Sequence, residues 1–283
     1  MAIALITGAS SGIGQAFLKE LLQQQELRLY WTRKQRRRYR AAETSSAPSF
    51  EALEIDEIWI QGRREELALQ AAEIESYYRC RYFICDLTNA EELADFQAEI
   101  RKAPQDFGLA FLAAGAGLFG EFLDLPLEES LKQISLNSQA LTSLSHCLLQ
   151  RMAAGARLLP VASTAAFSPL PNMAVYAATK SYVRSFAAAL SVELEPRGIA
   201  VTTVLPGTVR TRFFDQAYRY GKVRHLGSDR LASSPEYIAH RAYRDMVKGK
   251  RESVWSRPFK LVRIAAKLLP SSWILAGWKL MAR

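Results

Sequence analysis

Short apolar runs alternate along the chain with longer stretches in which apolar residues recur at helical spacing. The first run, 2–6 (Ala-Ile-Ala-Leu-Ile), has the length and the continuous apolar character of a strand that is buried on both faces. A glycine-rich turn follows, and apolar residues then recur at Phe17, Leu18, Leu21 and Leu22. The chain therefore begins with a predicted strand, turn and helix.

The same alternation continues further along the chain. Residues 57–61 (Glu-Ile-Trp-Ile-Gln) have the pattern of a second strand, Leu67, Ala71 and Ile74 follow at helical spacing, and 82–85 is a third apolar run. Strands that alternate with helices in this way are typical of an α/β protein with a parallel sheet. The 283 residues suffice for one large domain, so we predict a single-domain, doubly wound parallel sheet of the Rossmann type.

The segment between the first helix and the second strand is longer than a crossover needs. We interpret residues 26–54 as an insertion into the first crossover, because a loop costs conformational entropy that grows only slowly with its length. Residues 33–50 have little apolar periodicity and end in small, turn-forming residues. They are therefore predicted to form a solvated loop.

The first turn has the composition of a phosphate-binding turn. It reads Thr-Gly-Ala-Ser-Ser-Gly-Ile-Gly over 7–14, between the predicted strand and helix. Glycines let backbone N–H groups and the positive end of the helix approach a pyrophosphate. We expect the dinucleotide to be contacted by Gly8, Ser10, Ser11, Gly12, Ile13 and Gly14.

The cofactor type depends on the residue that ends the second strand, where an acid selects NAD and an arginine accommodates the 2'-phosphate of NADP. Arg33 lies about 20 residues after the glycines, at the usual spacing. However, no helical pattern follows it, whereas Arg63 and Arg64 follow the strand at 57–61 and precede a helix. We therefore assign the role to Arg63 and Arg64. With either assignment the strand ends in arginine, which favours NADP(H).

Tyr176 and Lys180 are four residues apart, so in a helix they share one face. A cation near a phenol favours the phenolate, so Lys180 is predicted to lower the pKa of Tyr176 toward the range useful for general acid and base catalysis. The spacing alone also fits an ordinary exposed pair of neighbours. The glycine turn makes the catalytic interpretation the stronger one.

Together, the glycine turn and the set Ser163, Tyr176 and Lys180 closely resemble the short-chain dehydrogenase/reductase family. The resemblance covers residues 1 to about 212 apart from the insertion. The resemblance implies further cofactor or catalytic residues in four places: after the third strand, where an Asp contacts the adenine, at the end of the fourth strand, on the next helix, where an Asn is expected, and in the loop after the sixth strand. These further matches are Asp86, Leu87, Ala114, Gly115, Asn137, Pro206, Gly207, Val209 and Thr211.

The resemblance implies a role for each catalytic residue. Tyr176 would give or take the proton on the substrate oxygen, and Ser163 would hydrogen-bond that oxygen. Lys180 would also bind the nicotinamide ribose, and Asn137 would hold a water that links Lys180 to solvent. Two positions depart from the family pattern: Leu112 stands where an Asn usually braces neighbouring strands, and Ala162 stands where a second Ser is common.

The net charge of +9 suggests a nucleic-acid partner at first, but it is unevenly distributed. Seven positive residues lie in one segment, so the rest of the chain has a net charge of about +2. We predict no nucleic-acid partner, although a basic loop that binds nucleic acid or an anionic surface is the alternative. The seven are Arg28, Arg33, Lys34, Arg36, Arg37, Arg38 and Arg40.

Composition favours the cytoplasm and offers no metal site. The three cysteines lack C-x-x-C spacing and the three histidines are scattered, so we expect reduced thiols and no bound metal. The N-terminal apolar run lacks the features of a secretion signal, and no apolar stretch is long enough to span a bilayer. The predicted location is therefore cytoplasmic.

Substrate recognition is assigned to an apolar cleft and a lid. Residues 212–235 are predicted to be a mobile lid, and 257–283 a basic amphipathic tail for packing, oligomer contact, a lipid-like substrate or a membrane surface. The apolar residues expected at the cleft also fit ordinary core packing. They are Phe119, Phe122, Phe167, Met173, Phe213, Phe214 and Tyr218.

The sequence therefore predicts an NADP(H)-dependent oxidoreductase for a carbonyl or secondary alcohol of a small or medium apolar molecule, assembled as a homo-oligomer (dimer or tetramer). The alternative is a catalytically idle module that senses NADP(H) or scaffolds a partner. An idle module does not need the proton relay of Asn137, Ser163, Tyr176 and Lys180.

Overall fold

The computed structural model describes residues 2–38, 54–220, 232–254, 272–273 and 275–276. Strands and helices alternate along most of these residues. The strands are β1 (Ile3–Thr7), β2 (Glu57–Gly62), β3 (Arg79–Ile84), β4 (Phe107–Leu112), β5 (Arg157–Pro160), β6 (Ala200–Val201), β7 (Thr203–Leu205) and β8 (Glu252–Val254). The α-helices are α1 (Gly12–Arg38), α2 (Glu66–Glu75), α3 (Ala90–Lys102), α4 (Leu127–Ile134), α5 (Leu141–Leu149), α6 (Ala174–Glu193), α7 (Phe213–Ala217) and α8 (Pro235–Val247).

Six strands form a parallel sheet in the order β3-β2-β1-β4-β5-β6. β7 and β8 form a parallel pair that continues this sheet, because a bridge joins Val161, just after β5, to Val204 in β7. All these strands run in the same direction, but β2 and β3 are added on one side of β1, and β4, β5 and β6 on the other, as in a doubly wound fold. The predicted fold class, a single-domain Rossmann sheet, is confirmed, and β2 begins at the predicted residue 57.

The central strands are buried on both faces, and their alternate residues join different cores. In β1, Ile3 and Leu5 pack with residues of α3, α5 and α6, whereas Ala4 and Ile6 pack with residues of α1, α2 and α8. Helices therefore cover both faces of the sheet. The continuous apolar runs in the sequence follow from this two-sided burial.

Helix α1 corrects the prediction of a loop that starts at residue 33. The helix runs without interruption from Gly12 to Arg38, so residues 26–38 of the proposed insertion extend the first helix. Arginine and lysine are good helix formers, and a helix that has already nucleated can propagate through them without apolar periodicity. Of the rest of the proposed insertion, residues 39–53 lie outside the described residues.

Two further predicted segments are described only in part. The lid at 212–235 is described at its two ends, and 221–231 lie outside the described residues. The tail at 257–283 lies outside them except for 272–273 and 275–276. Among the helices that are described, none combines the length and the apolar character needed to cross a membrane.

Candidate active site

The glycine turn joins β1 to α1 in a geometry that needs glycine. Gly8 and Gly12 have positive φ angles of 66° and 59°, which residues with a side chain rarely adopt. A Cβ on Gly14 would lie 2.3 Å from the carbonyl oxygen of Gly8, so no other residue fits there without a shift of the backbone. The turn thus exposes backbone at the start of a helix, as a pyrophosphate site requires.

Gln61, near the end of β2, braces this turn and was missed in the sequence. Its side chain is buried, accepts a hydrogen bond from the Gly8 N–H (3.3 Å) and donates one from Nε2 to the Cys85 carbonyl oxygen (2.9 Å). Its backbone oxygen also accepts the Ala9 N–H at 3.0 Å. One side chain therefore ties the turn to the ends of β2 and β3.

Arg63 and Arg64 directly follow β2, where a residue that reads the adenosine ribose is expected. Both line the same cavity as the glycine turn. The Arg63 side chain is 57% exposed, and its guanidinium lies 3.7 Å from the Asp86 carboxylate. Arg33 lies within α1, so it does not end the second strand.

Asp86 and Leu87 follow β3 at the same edge of the sheet. Asp86 Oδ1 accepts hydrogen bonds from the backbone N–H (2.9 Å) and the hydroxyl (2.8 Å) of Thr88. Burial acts to raise the pKa of Asp86, but these bonds and the Arg63 charge outweigh it, so the pKa lies below its ordinary value. Leu87 lines the cavity, whereas Asp86 is not part of the lining and forms an ion pair with Arg63.

Asn137 lies in a π-helical turn, Ser135–Ala140, between α4 and α5. Its buried amide accepts a hydrogen bond from Ala116 N–H (2.9 Å) and donates two, to Ala116 O (2.8 Å) and Thr179 Oγ1 (3.0 Å). Asn137 therefore fixes the chain after β4 against the helix that bears Lys180.

Gly115 lies beside Asn137 and Lys180, two of the four residues of the predicted proton relay. A Cβ on Gly115 would lie 3.2 Å from Asn137 Oδ1 and 3.3 Å from Lys180 Nζ, so a side chain there would crowd both groups. Neighbouring Ala114 donates its N–H to Thr7 Oγ1 at 3.2 Å, which links the ends of β1 and β4. Leu112, which stands where the family usually has an Asn, is packed in the core instead.

Ser163, Tyr176 and Lys180 meet at the other end of the cavity. Ser163 caps a 3-10 turn: its Oγ accepts Ala165 N–H at 3.1 Å and donates to Pro206 O at 3.5 Å. Tyr176 and Lys180 lie on one face of α6, as predicted, and Lys180 Nζ is 5.9 Å from the centroid of the Tyr176 ring. The three side chains are buried.

The predicted lowering of the Tyr176 pKa is wrong in direction. Burial raises the pKa of Tyr176 to about 12, and the hydrogen bond with Ser163 only partly opposes it. Burial also lowers the pKa of Lys180 to about 8, and its Nζ donates to Val161 O at 2.9 Å. Burial is therefore the largest cause of both pKa shifts, and the spacing in the sequence cannot reveal it.

The loop after β7 forms the remaining side of the cavity. Pro206, Gly207, Val209 and Thr211 line it, and a Cβ on Gly12 would touch the Thr211 methyl group at 3.4 Å. The loop is anchored to the far end of the predicted lid, because Arg210 N–H donates to Ser233 O (2.9 Å) and Ser233 N–H donates to Thr208 O (3.0 Å).

One cavity of about 590 Å³ thus runs from the glycine turn to Tyr176. At its Tyr176 end, the predicted apolar residues Phe119, Met173, Phe213, Phe214 and Tyr218 line it together with Leu170, which the sequence analysis had not included. Two of the predicted residues lie elsewhere. They are Phe122, which borders a separate small pocket, and Phe167, which packs under Arg184.

The cavity suits a dinucleotide better than a metal ion. The bare backbone at Gly8 and Gly14 forms a cradle of the kind that a pyrophosphate needs, and the Arg63 guanidinium is a suitable partner for a phosphate. The missing side chain at Gly115 leaves space next to Lys180. Within the described ranges, no group of three or more His, Cys, Asp or Glu side chains is arranged to hold a metal.

Comparison with known proteins identifies the family. A model of the family described as short chain dehydrogenase matches residues 54–219, more than half of the chain. Sulfoacetaldehyde reductase 2 of Chromohalobacter salexigens is 30% identical over 218 residues, which cover 75% of this chain and 74% of that protein. The probable oxidoreductase EphD of Mycobacterium tuberculosis is 26% identical over 161 residues, 56% of this chain but 26% of EphD. The chain therefore spans only about a quarter of the length of that relative.

Solved structures share the fold at low sequence identity. A short-chain dehydrogenase from Sphingobium yanoikuyae in complex with NADPH has a TM-score of 0.71 at 23% identity, covering 100% of this chain and 96% of that one. A short-chain dehydrogenase/reductase from Burkholderia phymatum in complex with NAD has a TM-score of 0.70 at 16% identity, covering 93% and 91%. The residues matched by the family model, together with this fold, show that the chain belongs to the short-chain dehydrogenase/reductase family.

Proposed function

We propose that the protein is an NADP(H)-dependent oxidoreductase that interconverts a carbonyl and a secondary alcohol on a small or medium apolar substrate. The observation that supports this most directly is the single cavity of about 590 Å³, which is lined by the glycine turn, Arg63, Ser163, Tyr176 and Lys180. Reduction of a carbonyl by a nicotinamide cofactor requires a phosphate-binding turn for the cofactor and a proton donor for the carbonyl oxygen in the same site.

The cofactor would be held along the length of this cavity. The backbone of Gly8, Gly12 and Gly14 would face its pyrophosphate, and Arg63 with Arg64 would form charge-assisted hydrogen bonds to a 2'-phosphate. Further contacts are proposed for Ser10, Ser11, Ile13, Asp86, Leu87, Ala114, Gly115, Tyr176, Lys180, Pro206, Gly207, Val209 and Thr211. When bound, the cofactor supplies or accepts the hydride at nicotinamide C4.

The chain itself handles the proton. Because burial raises the pKa of Tyr176 to about 12, its phenol is protonated at neutral pH and can donate a proton to the substrate oxygen. Ser163 would donate a hydrogen bond to the same oxygen and fix its position. The ammonium of Lys180 would stabilise the phenolate that proton donation leaves, and Asn137 would hold a water that links Lys180 to solvent.

The proposed assembly is a homo-oligomer in the cytoplasm. A stripe of exposed apolar side chains on α4, Leu127, Leu131 and Ile134, supports contact with another copy. The three cysteines are free thiols, which suits a reducing compartment. The roles of 212–235 as a lid and of 257–283 as an amphipathic tail with peripheral membrane contact stay predictions from the sequence.

A panel of ketones and aldehydes tested with NADPH and with NADH, followed by the absorbance of the reduced nicotinamide, tests the function. We expect turnover of at least one apolar carbonyl, faster with NADPH. Binding of NADPH with no turnover of any carbonyl or alcohol would favour the alternative of an idle sensor or scaffold. Failure to bind either cofactor would overturn both.

A further inference from the structure

Four aromatic side chains form a wall beside Tyr176: Phe119, Phe213, Phe214 and Tyr218, hereafter the aromatic wall. The ring of Phe119 lies 4.9 Å from that of Tyr218, 5.8 Å from that of Phe214 and 6.3 Å from that of Phe213, measured between centroids. Such distances are typical of favourable aromatic pairs. The wall is therefore a packed unit that lines one side of the cavity.

Phe213 reaches furthest toward the catalytic tyrosine, and it does so because residue 117 is glycine. The centroid of its ring is 5.7 Å from that of Tyr176. A Cβ on Gly117 would lie 2.5 Å from Phe213 Cζ and 3.2 Å from Tyr176 Cδ2. The Phe213 ring thus occupies the space that any other side chain at position 117 would take.

Backbone contacts hold Phe213 in this position. Phe213 begins α7, and its N–H donates to Thr211 Oγ1 at 3.3 Å. The other end of α7 is tied to the loop after β4, because Phe119 N–H donates to the Ala217 carbonyl oxygen at 2.8 Å. These two hydrogen bonds therefore fix Phe213 relative to Gly117. The placement of the Phe213 ring against the bare backbone of Gly117 is hereafter called the wedge.

The chemistry of the wall indicates what it accepts. Among the described residues that line the cavity there is no Asp, Glu or His, and the end at Tyr176 is lined by Phe119, Leu170, Met173 and the rest of the aromatic wall. Such surfaces favour neutral, apolar groups, and flat ones can stack on the rings. The exposed guanidinium of Arg212 borders the cavity next to Phe213, which makes an anionic carbonyl the competing class.

We propose that Phe213, admitted by the bare backbone of Gly117, determines substrate selectivity. It selects neutral carbonyl compounds with one flat, unsaturated substituent and one small substituent, because a branched second substituent would collide with its ring. This inference rests on the proposed function and specifies the substrate class of the same site.

Three ketones that share a phenyl group test the inference: acetophenone, its tert-butyl analogue 2,2-dimethyl-1-phenylpropan-1-one, and the carboxylated phenylglyoxylate. We expect the wild type to prefer acetophenone over the tert-butyl ketone in kcat/KM by at least about 30-fold, and Phe213→Ala to reduce that ratio at least about tenfold. Phe214→Ala is the matched comparison, since it is the neighbouring phenylalanine and its ring packs on Phe119 (5.8 Å) and Tyr218 (6.3 Å) between centroids; its ratio should change by less than about threefold.

Gly117→Ala tests the wedge from the opposite side. The added Cβ would displace the Phe213 ring, so kcat/KM for acetophenone should fall, and the double variant Gly117→Ala with Phe213→Ala should recover it at least in part. A thermal unfolding cycle over the same variants reports the contact independently of activity. We expect the destabilisation by Gly117→Ala to be smaller in the Phe213→Ala background.

The outcomes separate this inference from the proposed function. An unchanged ketone ratio in Phe213→Ala, or a preference for phenylglyoxylate, would overturn the inference while leaving the reductase intact. NADPH binding without turnover of any of the three ketones would overturn the substrate class proposed here. A protein that binds no nicotinamide cofactor would lose the proposed function, and this inference with it.

Discussion

At one end of the cavity Arg63 follows β2 with its guanidinium largely in solvent, whereas at the other end Tyr176 and Lys180 are enclosed by protein atoms. Near Arg63, hydrogen bonds and an opposite charge overcome burial, and the carboxyl of Asp86 has a lowered pKa. Near Tyr176, burial dominates: the phenol is held neutral and the pKa of Lys180 falls. The first environment suits recognition of a charged group, and the second suits control of a proton.

Removal of the phenol should have the largest effect, and it acts at the enclosed end alone. Tyr176→Phe should lower kcat by at least about a thousandfold, because it removes the proposed proton donor, and should leave NADPH affinity nearly unchanged. Steady-state kinetics and a fluorescence titration with NADPH measure the two quantities. Activity near that of the wild type would show that the proton donor is elsewhere.

A substitution at the exposed end of the cavity should change the affinity for the cofactor rather than the rate of the chemical step. Arg63→Ala removes a charge-assisted contact to the 2'-phosphate, so the Kd for NADPH should rise about 10- to 100-fold while the Kd for NADH changes little. Fluorescence titration of both cofactors gives the ratio. Arg33→Ala is the control, since Arg33 lies in α1. Loss of NADPH preference in the control but not in Arg63→Ala would contradict the assignment.

The burial of the Lys180 ammonium should make the free energy of unfolding depend on pH. Burial lowers the pKa of Lys180 from 10.5 to about 8, so between these values the unfolded chain binds more protons at this residue than the folded chain. The contribution of Lys180 to the free energy of unfolding should therefore rise with pH in this window, by at most about 1.4 kcal/mol per pH unit.

Lys180→Met isolates that contribution, because the other titrating groups are common to both proteins. Denaturant unfolding at intervals from pH 7.5 to 10.5 should give a wild-type free energy that gains on the variant as the pH increases. A difference that is flat or declines with pH would mean that the ammonium is not desolvated in the folded protein.

The smallest effect is expected from residues 39–53, most of which the sequence predicts to be a solvated loop. Replacement of 39–53 by a short Gly/Ser linker should leave NADPH affinity within about twofold of the wild type, because long connections cost little conformational entropy. The family match begins at residue 54, just after this segment. Loss of folding in the linker variant, seen by circular dichroism, would show that the segment packs as part of the domain.

The sequence predicted the elements that depend on local pattern. The apolar run of β1, the glycine turn and the start of β2 at Glu57 each follow from a few neighbouring residues, and the structure has them in those positions. Arg63 was located at the end of β2 by the same pattern. The extension of α1 to Arg38 was not predicted, because helix propagation needs no apolar stripe.

The contacts that tune the site could not be predicted from the sequence. The raised pKa of Tyr176 results from burial under residues such as Phe119 and Phe213, which lie far from it in the chain. The brace by Gln61 and the wedge at Gly117 are likewise meetings of distant segments. Spacing identified which residues share a helix face, but long-range packing decides their environment.

The central position of β1 also has a consequence for the order in which the protein folds. Ile3 pairs with Glu57 on one side and with Phe107 on the other, so β1 acquires its second partner only after β4 has been made. Pairing over such separations is intrinsically slow, and an unpaired apolar strand is prone to aggregate in the meantime. The nascent chain therefore has to keep the open edge of β1 shielded until β4 has been synthesised.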